Sequence, residues 1–100
     1  MEETGLKFDK EKLRWDLLPI GEVEDIVKIL TFGAKKYAPN NWQKVENGNE
    51  RYYAALMRHL CAWRKGELID PETGESHLSH ALCCLIFLAW LDKNKTDGTI

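Results

Sequence analysis

Between Ala81 and Leu91 the chain reads Ala-Leu-Cys-Cys-Leu-Ile-Phe-Leu-Ala-Trp-Leu, without a charged side chain. A helix at a protein surface keeps a polar face, and this segment has none. It must therefore be covered on every side. It is too short to cross a bilayer as a helix, which takes about 20 apolar residues. A chain of 100 residues buries only about two-thirds of its unfolded surface, and two companion helices cannot easily wrap a third. The simplest resolution puts one face in the monomer core and another in a dimer or tetramer interface formed through this helix.

The rest of the chain supplies the companions. Pro19 favours a helix start through its fixed φ. Val23, Ile26, Val27, Leu30, Ala34 and Tyr37 recur at steps of three and four, which predicts a helix over 20–37. Acidic Glu22, Glu24 and Asp25 near its start and Lys35 and Lys36 near its end suit the helix dipole. A second helix is expected over 50–65, with Asn49 as N-cap, Gly66 as terminator, and Tyr53, Leu56, Leu60 and Trp63 on its apolar face. Asp70-Pro71 and Gly74 mark a turn, and Ser76 caps a third helix over 76–92. The expected fold is all-α: a small bundle of three main helices in a single domain of residues 1–100. Residues 1–18 form an N-terminal arm, ordered because Phe8, Leu13, Trp15, Leu17 and Leu18 need cover, and 93–100 form a flexible tail.

Charge and cysteine usage narrow the function classes. A formal net charge of −2 argues against stable nucleic-acid binding, whose affinity comes largely from phosphate neutralisation. Cys61, Cys83 and Cys84 are odd in number and lie in apolar helical stretches, so buried reduced thiols are expected rather than disulfides. That places the protein in a reducing compartment, the cytoplasm. The start of the chain lacks the apolar segment of a signal peptide, and no membrane association is expected.

Two groups of residues can carry chemistry. His59, Glu67, Asp70, His77 and His80 fall close together and include every histidine of the chain. His77 and His80 are one helical step apart at the start of the third helix. A tight hairpin would bring all of these to one end. Carboxylates suit Mg²⁺ or Mn²⁺, and imidazoles admit Mn²⁺ or Zn²⁺. The bland alternative makes Glu67 and Asp70 loop-solvating or turn-forming and His77 a hydrogen-bonder at a helix start. The second group sets cations beside aromatics: Arg14 and Trp15, then Lys35, Lys36, Tyr37, Asn41 and Trp42, with Arg58 on the second helix. Arg matches phosphate oxygens with paired hydrogen bonds, and Trp or Tyr can stack on a base. Equally, Trp15 and Trp42 can be core residues and the lysines simply solvated. Glu22, Glu24 and Asp25 could ligate a metal, but the helix dipole already explains them. Phosphate-binding glycine loops, Cys-x-x-C, His-Glu-x-x-His and Gly-x-Ser-x-Gly are absent.

Taken together, Lys12-Leu13-Arg14-Trp15-Asp16-Leu17-Leu18-Pro19, Leu30-Thr31-Phe32-Gly33-Ala34-Lys35-Lys36-Tyr37 with Asn41-Trp42, Arg58-His59-Leu60 with Ala62-Trp63, and Gly66-Glu67 with Asp70, Thr73-Gly74, His77 and His80 resemble the phage and prophage dATP/dGTP diphosphohydrolase N-terminal domain family. That family looks distantly related to the MazG-type all-α nucleoside triphosphate pyrophosphohydrolases. The resemblance implies Mg²⁺ (or Mn²⁺), dimers or tetramers, and hydrolysis of purine deoxynucleoside triphosphates to monophosphate and pyrophosphate. The chain departs from the MazG pattern in lacking Glu-x-x-Glu on its second helix, although Glu67 and Asp70 keep Glu-x-x-Asp spacing.

The expected assignment makes Glu67, Asp70, His77 and His80 metal ligands, and Glu67, Asp70 and His59 the catalytic set. His59 would orient or deprotonate water. Arg14, Lys35, Lys36 and Arg58 would neutralise the triphosphate, while Trp15, Tyr37 or Trp42 stack on the base and Asn41 bonds base or sugar. The alternative from another class is a non-catalytic nucleotide-binding or protein-interaction module.

Overall fold

The computed structural model describes residues 4–95. Three helices dominate: α1 (Ile20–Lys36), α2 (Gly48–Arg64) and α3 (His77–Asn94). Short 3-10 turns at Trp15–Leu17 and Asn41–Lys44 precede α1 and α2. No strand forms among the described residues; the nearest approach is an isolated bridge between Ile69 and Ser76. The chain is all-α, as its periodicity requires.

The principal interface joins α2 to α3. His59 meets His77 and His80 at one end. Leu56 packs with Ala81 and Cys84 in the middle, and Tyr52 packs at a tilt against Phe87 further along. Rising numbers on α3 meet falling numbers on α2, so the two helices form an antiparallel hairpin. Its far end closes tightly: a Cβ on Gly48 would sit 3.1 Å from Leu91 Cδ1, close enough to force that side chain aside. α1 leans on α3 rather than on α2, and the Cys83 thiol points to the Ile26 carbonyl at 3.8 Å.

The helix starts and stops follow local chemistry, with corrections. α1 ends at Lys36, and Tyr37 closes it by donating its N–H to Gly33 O at 2.9 Å. α2 begins two residues before the expected start, because Asn47, not Asn49, takes the left-handed cap conformation at φ 61°. Asn and Asp tolerate that region best among residues with a side chain. Ser76 caps α3 as expected, accepting from Leu78 N at 3.0 Å. α3 runs on to Asn94, so Lys93 and Asn94 are helical rather than tail; residues 96–100 of the expected tail lie outside the described residues.

Which faces turn inward also differs in places. Val27 and Tyr37 are exposed on α1, and Ile29 is half-buried in their stead. Tyr53 points to solvent on α2 while its neighbour Tyr52 packs inward and donates its hydroxyl to Trp42 O at 2.9 Å. A single-residue step turns a helix side chain by about 100°, and two adjacent tyrosines satisfy either register equally well. Cys61 is exposed, whereas Cys83 and Cys84 are buried and free. Burial pushes their thiols up to about 12 and about 11, which leaves them inert.

The covered core is small. Among the described residues, only Leu56, Ala81, Cys83 and Cys84 are buried apolar side chains. The arm is unpacked, with Phe8, Leu13, Trp15 and Leu17 all largely exposed, contrary to the cover expected for them. On α3 the residues Leu78, Leu82, Leu85 and Ala89 form an outward stripe, and Leu85 is 49% exposed. The radius of gyration is 18.1 Å, against about 13 Å for a compact chain of this length.

Candidate functional site

The loop between α2 and α3 is held by its own backbone. Gly66 takes φ 104°, a left-handed turn that ends α2. Glu67 N then bonds Ala62 O at 3.0 Å. Asp70 N donates to Glu75 O and Gly74 N to Asp70 O, each at 2.8 Å, and His77 N donates to Leu68 O at 2.9 Å. Gly74 at φ 77° supplies the second left-handed turn. These bonds fix Asp70 and His77 relative to one another before any side chain meets α2.

The side chains then converge. His59 Nδ1 lies 2.9 Å from His77 Nδ1. The His59 ring stacks on His80 with centroids 4.5 Å apart and planes 9° from parallel. His80 Nε2 is 3.5 Å from Asp70 Oδ2 and 2.7 Å from Thr73 Oγ1. Asp70 Oδ2 accepts from Thr73 N at 3.2 Å and from Thr73 Oγ1 at 3.1 Å. His77 is 5% exposed, and its Nε2 is buried without a hydrogen-bond partner. Glu67 Oε2 stands 3.3 Å from that nitrogen. Thus His59, Glu67, Asp70, His77 and His80 do meet at one end of the hairpin. One donor atom each from His59, Asp70 and His77 falls within 4.8 Å of the others, a spacing that can hold a metal ion. Glu22, Glu24 and Asp25 take no part in that group.

The electrostatics favour His59, His80 and Asp70 as lone-pair donors. Burial, helped by the neighbouring His80 and His77, holds His59 below the ordinary histidine range. Burial does the same for His80, against the pull of Asp70. For Asp70, burial pushes upward, but the Thr73 hydroxyl and amide together with His80 and His59 prevail and keep its carboxyl below the usual carboxylate range.

Beside this cluster opens a cleft of about 1130 Å³ between α1, the 37–45 segment and α2. Lys36, Tyr37, Asn41, Trp42 and Arg58 line it, and His80 and Thr73 form the border it shares with the imidazole cluster. Lys35 instead faces a separate pocket of about 340 Å³ with Thr73 and Glu75. Arg14 and Trp15 line neither. Arg14 pairs with Asp16 at 2.7 Å on the exposed arm, and Trp15 is 72% exposed. Within the cleft, Trp42 stacks on Phe87 at 4.5 Å and meets Trp90 edge-on at 5.2 Å, so one of its faces is taken. Tyr37 is exposed, with Lys36 Nζ 5.3 Å above its ring. Lys36 Nζ is also paired with Glu72 at 2.7 Å.

Three participants received no role from the sequence: Thr73, Glu72 and Tyr52. Thr73 had a readable signal, since Asp-x-x-Thr-Gly is a turn in which the hydroxyl and amide return to the carboxylate. The Lys36–Glu72 pair joins residues far apart in the chain and had none.

The fold and site define a small helical hairpin protein with an imidazole-rich candidate metal centre beside a basic, aromatic cleft. The chain belongs to the dATP/dGTP diphosphohydrolase N-terminal family, which it matches over residues 2–99. It is 36% identical over 92 residues to a protein of Salmonella phage PMBT28 named dATP/dGTP diphosphohydrolase. The match takes in 92% of this chain but spans only 31% of that relative's length. No solved structure matches the chain significantly. No helix among the described residues is long and apolar enough to cross a membrane.

Proposed function

We propose that this chain handles purine deoxynucleoside triphosphates and takes part in their metal-dependent hydrolysis to monophosphate and pyrophosphate. The carrying observation is adjacency: the imidazole–carboxylate cluster and the cleft share His80 and Thr73 as a common wall. The name of the phage relative supports the substrate class.

In this reading Arg58 and Lys36 meet the triphosphate. Arg58 offers a planar donor fork, and Lys36 can exchange the Glu72 carboxylate for a phosphate oxygen. Tyr37 offers an exposed ring face to a base, and Asn41 a carboxamide to base or sugar. Asp70, His59 and His77 would hold a divalent cation. Their fit to one rests on the close pair of Nδ1 atoms and on the three donor atoms of His59, Asp70 and His77 lying within 4.8 Å of one another. When bound, such an ion supplies charge neutralisation at the phosphates and an acidified water. Hydrolysis then forms a bond from water oxygen to the α-phosphorus and breaks the bond to the α,β-bridging oxygen. Pyrophosphate leaves with that oxygen, and the water proton passes to a base or to solvent.

We also propose that the outward stripe of α3, Leu78, Leu82, Leu85 and Ala89, pairs with a second copy. Leu78, Leu82 and Leu85 are 40%, 40% and 49% exposed, and contiguous apolar surface of this kind marks an interaction face.

Pyrophosphate release across ribo- and deoxynucleoside triphosphates, with Mg²⁺ and with Mn²⁺, tests the activity. Turnover of dATP and dGTP that falls at least about 100-fold in Asp70→Asn, with helix content unchanged, supports it. Full activity in that variant removes Asp70 from the site. The span of the phage relative favours one rival: the chain is the nucleotide-binding part of a longer enzyme. Thermal stabilisation by dATP or dGTP without any pyrophosphate release would establish that instead.

A further inference from the structure

We propose that His59, His77 and Asp70 form a three-donor site for a d-block divalent cation of the manganese-to-zinc series, rather than for Mg²⁺. What the open positions of that ion would bind rests on the hydrolase reading; the donor set itself does not.

The first argument is the 2.9 Å between His59 Nδ1 and His77 Nδ1. Two imidazole nitrogens that close share at most one proton, because two protonated rings would repel. The same separation is the edge of a coordination shell: metal–nitrogen bonds of about 2.0–2.1 Å at a right angle put the nitrogens about 2.9 Å apart.

The second argument is the support around the donors. A metal-bound histidine that coordinates through one nitrogen carries its proton on the other, which usually faces a carboxylate or carbonyl. His77 Nδ1 faces His59, and its buried Nε2 faces Glu67 Oε2 at 3.3 Å. This makes Glu67 the orienting carboxylate behind a ligand rather than a ligand. Asp70 is steered likewise by the amide and hydroxyl of Thr73. With its single proton committed to Asp70, Thr73 Oγ1 accepts from His80 Nε2, so His80 braces the site through Thr73 and through its stack on His59. Only three protein donors remain, which leaves positions open on the side where His80 and Thr73 border the cleft.

The third argument is donor chemistry. Mg²⁺ takes oxygen ligands and dehydrates reluctantly. Two imidazoles with one carboxylate suit the later divalent ions.

The test uses the full chain after chelator treatment, titrated with Co²⁺ as a spectroscopic probe. One Co²⁺ per chain with visible absorption bands of a nitrogen-ligated ion, unchanged by a large excess of Mg²⁺, is the expected result. His59→Gln should weaken binding by more than about 100-fold and Glu67→Gln by about 10–100-fold. His77 is buried, so His77→Ala can unfold the hairpin; half-exposed His59 is the deciding position, with helix content measured alongside. No cobalt bands, displacement by Mg²⁺, or unchanged affinity in His59→Gln overturns the site and leaves a shared proton between two rings. Stoichiometric Co²⁺ binding without pyrophosphate release under any metal keeps this site and removes the hydrolase reading. Release with Mg²⁺ in protein that binds no Co²⁺ does the reverse.

Discussion

The α2–loop–α3 hairpin and the arm-plus-α1 half are built from similar residues yet end differently. The hairpin buries Leu56, Ala81, Cys83 and Cys84, and its loop backbone bonds are mostly internal. The arm leaves Phe8, Leu13, Trp15 and Leu17 in solvent, and α1 has no fully buried residue. Short-range signals explain the first half: a left-handed glycine, an Asx-type turn and a serine cap bring α2 and α3 together at little loop-closure cost. The second half has no such closure. It depends on surfaces that the rest of the chain does not supply, and the site sits on the half that can hold it rigidly.

The largest expected effect breaks the hairpin itself. Leu88 packs against the Leu56–Ala81–Cys84 cluster, so Leu88→Asp should destabilise the fold by about 3 kcal/mol, read as a lowered urea midpoint. The assembly probes are Leu82→Asp and Leu85→Asp on the outward stripe. They should shift a dimer or tetramer to monomer in sedimentation velocity while leaving the helix content intact. Loss of folding in Leu85→Asp equal to that in Leu88→Asp would erase the distinction between the two faces.

A smaller effect sharpens the contrast through pH. His59 and His80 are held below the ordinary histidine range by burial, so the unfolded chain binds more protons between that depressed range and about pH 6.5. Stability is therefore present above pH 6.5 and lost as the pH falls through the folded values. In chelator-treated protein the Tm should drop on that descent, and His59→Gln with His80→Gln should flatten the profile. A profile unchanged by both substitutions would mean that the hairpin does not hold its imidazoles neutral. The smallest effect belongs to the one ion pair that joins the two halves among the described residues. Lys36–Glu72 is exposed, and such pairs contribute about 0–1 kcal/mol. Glu72→Gln should barely move the Tm but should tighten dATP binding, because it frees Lys36; weaker binding would remove Lys36 from the phosphate site.

Much of the local architecture was legible. Pro19, Gly66, Asp70-Pro71, Gly74 and Ser76 announce helix ends and turns through backbone preferences that need no partner. The crowding of His59, Glu67, Asp70, His77 and His80 around one turn was enough to expect their convergence. The same local rules misjudged Asn49 and Tyr53, because Asn47 and Tyr52 lie close by with matching chemistry and only packing breaks the tie. Leu88 and Leu85 are alike in sequence, and nothing local says which one faces Leu56.

By itself, then, the chain's order of residues determined three helices, the stops of the first two, and an α3 too apolar to stand alone, since each follows from interactions within a few residues. Tertiary structure alone decided that His59 Nδ1 faces His77 Nδ1, that Glu67 stands behind His77, and that the arm residues Arg14 and Trp15 lie apart from the cleft. Those pairings depend on the relative register of α2 and α3, which is set by how Leu56, Ala81 and Cys84 interlock. Packing is a collective property of side chains distant in sequence, and no short window contains it.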